Sequence, residues 1–359
     1  MKSFSIRNHP MIRLSGRFDP AQEGFPMLWS ASSAEMNVRG SSLEVQIDCA
    51  YRTHKPYLSF EVDGLRAQTF APLPGKHWYS VFLHLKPDTV HTVRILKESQ
   101  AFENDPSAGC VLLKGRTDGG LEPLPPRKRK IEFIGDSLTS GEGGRGPQSF
   151  MEWVPMCFSA SDNYTRFVAD RLNAQYQLVS QSGWGVHCGW NNDPHCNLPR
   201  IYDQLCGPQA GQTPEENWGS GKLYDFSFQP DDVVIALGAN DNGATKQPPF
   251  TDPVTGREFK LHDTPEDLAV FENEALDFLR HLHQRNPGAR LTWFSYFREN
   301  PIVQATRRAV ERAAAEGIPV QFGSVDGESL PASWQGSRNH PGVRAEQYMA
   351  RALVRLLKK

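Results

Sequence analysis

From about residue 131 to the end of the chain, apolar runs of strand length alternate with stretches of helical periodicity, and no other feature limits the fold so strongly. Runs at 131–134, 176–180, 231–237, 291–297 and 319–322 read as strands. Between the first two, Tyr164, Phe167, Val168 and Leu172 share one helical face behind the capping stretch Ser161-Asp162-Asn163. Thr264-Pro265-Glu266-Asp267 opens a second helix, with Leu268, Phe271, Ala275, Leu279 and Leu282 as its buried stripe. A helix at 302–316 stops at Gly317, and another at 343–356 closes the chain. Alternation of this kind predicts an α/β domain over 131–359, a parallel sheet with helices on both faces.

The first 122 residues have a different texture. Leu43, Val45 and Ile47 alternate with polar neighbours, as do Leu58, Phe60 and Val62 before the turn pair Asp63-Gly64, then Tyr79, Val81, Leu83 and Leu85, then Val93 and Ile95. This pattern predicts an all-β domain over 1–122, an antiparallel sandwich of jelly-roll type. The stretch 123–130, with prolines at 123, 125 and 126 and then Arg127-Lys128-Arg129-Lys130, reads as a stiff linker into the first strand of the α/β domain. Two domains suit a chain of 359 residues.

Net charge is −2 with the signs interspersed, which argues against nucleic acid or an acidic membrane surface as partner. No run of 18 apolar residues appears, and residues 1–10 lack the apolar core of a secretory leader, so the expectation is a soluble, cytoplasmic protein. Six scattered cysteines fit free thiols in a reducing compartment. Cys188 and Cys196 lie beside His187 and His195, but the spacing matches no common zinc pattern, and no metal is expected.

The strand at 131–134 stops abruptly at Gly135-Asp136-Ser137-Leu138-Thr139, which places a serine where open α/β sheets gather their chemistry. The nucleophile elbow of the α/β-hydrolases does not fit, because it needs Gly where Thr139 stands. Gly135-Asp136-Ser137-Leu138 resembles instead the opening block of the GDSL esterases, the SGNH-hydrolase superfamily. Three later stretches match the remaining blocks of that superfamily in order: Ser182-Gly183-Trp184-Gly185 after one strand, Gly238-Ala239-Asn240-Asp241 after another, and Asn339-His340-Pro341 before the last helix. The resemblance implies a flavodoxin-like sheet order, and the residue types suit ester cleavage. Ser137 is then the nucleophile and His340 its base. Gly183 (or, as an alternative, Gly185) through its N–H, Asn240 through its side-chain amide and Ser137 through its own N–H are candidate oxyanion donors. One element departs from the pattern. Most members carry Asp three residues before the His, and some an acid two before, whereas this chain has Ser337 and Arg338. A backbone carbonyl within 336–339, or Asp326 or Glu328 folding back, is expected to orient the imidazole.

An N-terminal β-sandwich joined to such a domain resembles carbohydrate esterase family two, and Ser15-Gly16-Arg17-Phe18 adds to the likeness. The resemblance implies an O-acetylesterase acting on plant-derived xylo- or manno-oligosaccharides, with no cofactor and with the acetylated oligosaccharide as its partner. It leaves the oligomeric state open, a homo-oligomer included. Trp184, Trp190 and Trp334 are candidates for stacking on a sugar ring. Two alternatives remain at this point: an esterase for other short acyl esters, and a carbohydrate-binding protein whose chemistry went with the missing acid.

Overall fold

The computed structural model describes residues 1–209 and 221–358 and divides into two compact units. Short stretches at 152–161, 203–209 and 221–224 group with Met1–Arg127 in the first unit.

The first unit is built from two antiparallel sheets. One runs Lys2–Ser5, Gly109–Thr117, Leu43–Ala50, Gly75–Phe82; the other runs Gly120–Glu122, Ser33–Arg39, Val90–Lys97, Leu58–Val62, Leu65–Phe70. Alternation along each strand sends Val45, Ile47 and Leu112 from the first sheet and Met36, Phe60 and Ile95 from the second into one shared core. The alternation expected through Leu83 and Leu85 fails at the end of Gly75–Phe82. A bulge opposite Leu43/Glu44 turns both Val81 and Phe82 inward, and His84 takes a left-handed backbone, so Leu83 emerges into solvent. The proline-rich stretch after Glu122 keeps to this unit: Pro123 O accepts from Asn37, Pro125 O from Arg13, and Arg127 pairs with Glu35 at 2.6 Å. Of the basic run, Arg129 in turn pairs with the buried Asp232 of the second unit's own sheet, and Lys130 sets its ammonium over the Phe228 ring.

In the second unit five strands form a parallel sheet: β1 (Arg129–Gly135), β2 (Ala174–Ser180), β3 (Asp232–Ala236), β4 (Arg290–Ser295) and β5 (Val320–Ser324). Their order is β2-β1-β3-β4-β5, the flavodoxin-like order, with its topological switch point between β1 and β3. The β1, β3 and β4 strands are buried nearly throughout, as a sheet covered on both faces requires. The helices are α1 (Ser137–Ser140), α2 (Tyr164–Leu172), α3 (Ala239–Ala244), α4 (Pro265–Arg285), α5 (Pro301–Ala315) and α6 (Val343–Leu357). Each longer helix starts where its sequence says it should. Asn163, Thr264 and Asn300 cap α2, α4 and α5 through their side chains, the last two with Pro at the first helical position. Among the described residues no helix is long and apolar enough to cross a membrane.

Candidate active site

Ser137 begins α1, a single helical turn hung on the carboxyl end of β1. Gly135 is required there, because a Cβ would collide with Thr139 Oγ1. Asp136 caps the turn, its Oδ1 accepting from Leu138 N at 3.1 Å. Other bonds pin this short turn: Ser140 Oγ donates to Ser180 Oγ at the end of β2, Thr139 Oγ1 meets Tyr164 OH at 2.8 Å, and Asn163 Nδ2 donates to Leu138 O. Such anchoring holds a nucleophile more firmly than a free loop does.

His340 is brought to this turn from far along the chain. Its Nε2 lies 2.9 Å from Ser137 Oγ, and its Nδ1 lies 2.9 Å from the carbonyl oxygen of Arg338. A carbonyl can only accept, so Nδ1 carries the hydrogen and Nε2 is left to receive the serine proton. Asp326 and Glu328, the other expected partners, are committed elsewhere: Asp326 accepts from Ser329 and Arg298, and Glu328 from Arg298 N. Ser337, at the position where most superfamily members have Asp, is fully buried and donates to Arg145 O at 3.1 Å.

The carbonyl is aimed by an unusual backbone. Arg338 (φ 55°) and Asn339 (φ 58°) are both left-handed, a conformation that costs an L-residue about 1–2 kcal/mol. Bonds on both sides hold it: Ser337 N donates to Gly143 O, Arg338 N to Phe150 O and Gly336 N to His340 O. Gly143 (φ 72°) lies against this loop, and a Cβ there would meet Ser337 O and stand 2.6 Å from His340 Cβ. Gly143→Ala should therefore push the imidazole off Ser137 and lower kcat/KM on an aryl acetate about 100-fold; a rate within twofold of wild type would contradict this packing.

Two neighbours on α3 divide the rest of the site. Asn240 is half-buried, and its Nδ2 donates to Trp184 O at 2.8 Å with Asp136 Oδ2 at 3.4 Å. Asp241 faces the other way, fully buried, and gathers the N–H groups of Val186, His187 and Cys188. That carboxylate fixes the loop after β2. Within the loop, Gly185 donates its N–H to Cys196 O at 3.2 Å and packs against Asp241, so its N–H is already used. Gly183 (φ 81°), with Trp190 against it, is the remaining backbone candidate in this loop. Burial pushes the Asp136 carboxyl up to about 7, with Asp241 and Glu142 adding like charge, and burial raises Asp241 as well.

Among the tryptophans, Trp190 is 52% exposed and sits against Gly183, while Trp184 is 7% exposed and offers its carbonyl to Asn240. Trp334 is half-buried, edge-on to Tyr348, and its carbonyl accepts from Gly342 N. Of Trp184, Trp190 and Trp334, it is Trp190 that is exposed beside Gly183. His187 pairs with Glu274 at 2.7 Å, which favours its protonated form, and His195 bonds Asp193. Among the described residues no group of three or more His, Cys, Asp and Glu could hold a metal ion.

Residues 133–347 match the GDSL-like lipase/acylhydrolase family, and residues 14–116 match the N-terminal domain of carbohydrate esterase 2. The chain belongs to carbohydrate esterase family two. Among solved structures, an acetyl xylan esterase (Est2A) from the rumen bacterium Butyrivibrio proteoclasticus superposes with a TM-score of 0.95 at 31% identity, covering 100% of this chain and 98% of that one. An acetylxylan esterase / glucomannan deacetylase of Cellvibrio japonicus is 26% identical over 91% of this chain and 83% of its own length. A cellulase/esterase, CelE, of Acetivibrio thermocellus is 29% identical over 65% of this chain, which spans 27% of that larger protein. The family pattern also separates what sequence reasoning reached from what it missed. Ser137, Gly183, Asn240 and His340 come from the motif blocks, and Ser337 from its departure from them; the roles of Glu142, Gly143 and Asp241 emerge only from the packing. The glycine pair flanking Glu142, directly after the serine turn, was the available signal.

Proposed function

We propose that this family-two esterase removes acetyl groups from the hydroxyls of xylo- or manno-type oligosaccharides by way of an acetyl-serine. The observation that carries the reading is the 2.9 Å contact between His340 Nε2 and Ser137 Oγ, with Nδ1 held on a carbonyl. In the first half-reaction Ser137 Oγ attacks the ester carbonyl carbon as its proton passes to Nε2. The tetrahedral oxyanion lies toward the N–H groups of Ser137 and Gly183 and the amide of Asn240. Collapse breaks the bond to the sugar oxygen, which takes the proton from the imidazolium and leaves as the free hydroxyl. Water then repeats the sequence on the acetyl-serine, giving acetate and restoring Ser137. No step needs a group beyond the protein and water.

The exposed face of Trp190 beside Gly183 is the natural platform for the sugar that bears the acetyl group. The sugars named for the similar proteins, xylan and glucomannan, supply the substrate class. The test is acetate release from acetylated xylo-oligosaccharides, acetylated manno-oligosaccharides and an aryl acetate, compared by kcat/KM. Either sugar should outperform the aryl ester. Cleavage of the aryl ester alone would keep the serine chemistry and discard the sugar. Inertness on all three would favour a carbohydrate-binding protein.

A further inference from the structure

The turn that carries Ser137 also carries a buried carboxylate. Glu142 N donates to Ser137 O at 3.0 Å, and left-handed Gly141 and Gly143 on either side fold the chain back over the helix end. The Glu142 side chain is 5% exposed, with Oε2 3.9 Å from His340 Nε2 and Oε1 3.4 Å from Arg338 Nε. Nothing in the acetyl-transfer steps above uses it.

We infer that Glu142 is a positioning residue that supplies, from the nucleophile's own turn, the negative charge missing from the loop before His340. The inference rests on Ser137 and His340 being the nucleophile and base. When the serine proton reaches Nε2 the ring becomes a cation, and the Arg338 carbonyl offers it only a dipole. A buried carboxylate within 4 Å offers a full charge, available before the reaction starts. Arg338 completes the arrangement. Its carbonyl orients Nδ1 while its guanidinium, on the other side of Glu142, keeps a buried acid in company.

The test is a double-mutant cycle on the full chain, with an aryl acetate as substrate. Glu142→Gln should lower kcat about 10- to 100-fold in an otherwise wild-type protein, with KM and Tm little changed. In the His340→Ala background the same substitution should cost less than about twofold, because there is no imidazolium left to stabilise. Glu142→Asp, which keeps the charge and loses the shape, should retain more activity than Glu142→Gln, and it carries the test if the Gln variant folds poorly. An equal loss in both backgrounds would overturn the inference, as would Gln matching or exceeding Asp, the order expected if Glu142 only packs. Wild-type activity in His340→Ala alone would instead overturn the reading of the Ser–His pair.

Discussion

Ser137→Ala and His340→Ala are each expected to lower kcat/KM on an acetyl ester by at least about 10⁴-fold, with the double variant falling little further. The two groups perform one proton transfer across a single 2.9 Å contact, so removing either removes the whole step. A residual rate should survive, because oxyanion donors polarise the ester without the pair. Steady-state kinetics of the three variants decide the matter. Losses that multiply would mean that Ser137 and His340 act in separate steps, and a modest loss in either would remove that residue from the chemistry.

The second large effect is expected at Asn240. Asn240→Ala should lower kcat about 100- to 1,000-fold with KM close to wild type. The amide is fixed in advance, since its Nδ2 donates to the Trp184 carbonyl at 2.8 Å and has Asp136 Oδ2 at 3.4 Å. The Trp184 bond holds the amide in place, and the long contact to Asp136 is the one given up when the second Nδ2 hydrogen turns to the oxyanion. A split between kcat and KM separates the roles. Loss of kcat alone marks a donor to the transition state, whereas a raised KM with unchanged kcat would make Asn240 a binding residue for the ground state.

The site reads from the sequence to the extent that it depends on strand ends. The apolar runs at 131–134 and 231–237 had to stop somewhere, and the small polar residues after them had to lie at one edge of a parallel sheet. Ser137 could be named on that ground, and the order of the motif blocks added Gly183, Asn240 and His340. What the sequence could not display is the set of contacts between loops distant along the chain. Ser337 looks like a plain loss of the acid, yet it clasps Arg145 O and helps hold the left-handed pair that aims the Arg338 carbonyl. Asp241 looks like the tail of a turn, yet it anchors the whole stretch from Val186 to Cys188. A local departure in the first unit has a similar cause. Alternation along 79–85 carries no mark of a bulge, because the bulge depends on the partner strand at Leu43.

The central claim is that acetyl transfer passes through Ser137. It is tested most directly by treating the wild-type chain with a serine-directed phosphonate while following acetate release and mapping the adduct by peptide mass spectrometry. Activity should fall in step with labelling, with the adduct on the peptide that holds Ser137 and none formed in Ser137→Ala. Acetate release that persists after Ser137 is fully labelled, or an adduct on another residue that tracks the loss of activity, would contradict it.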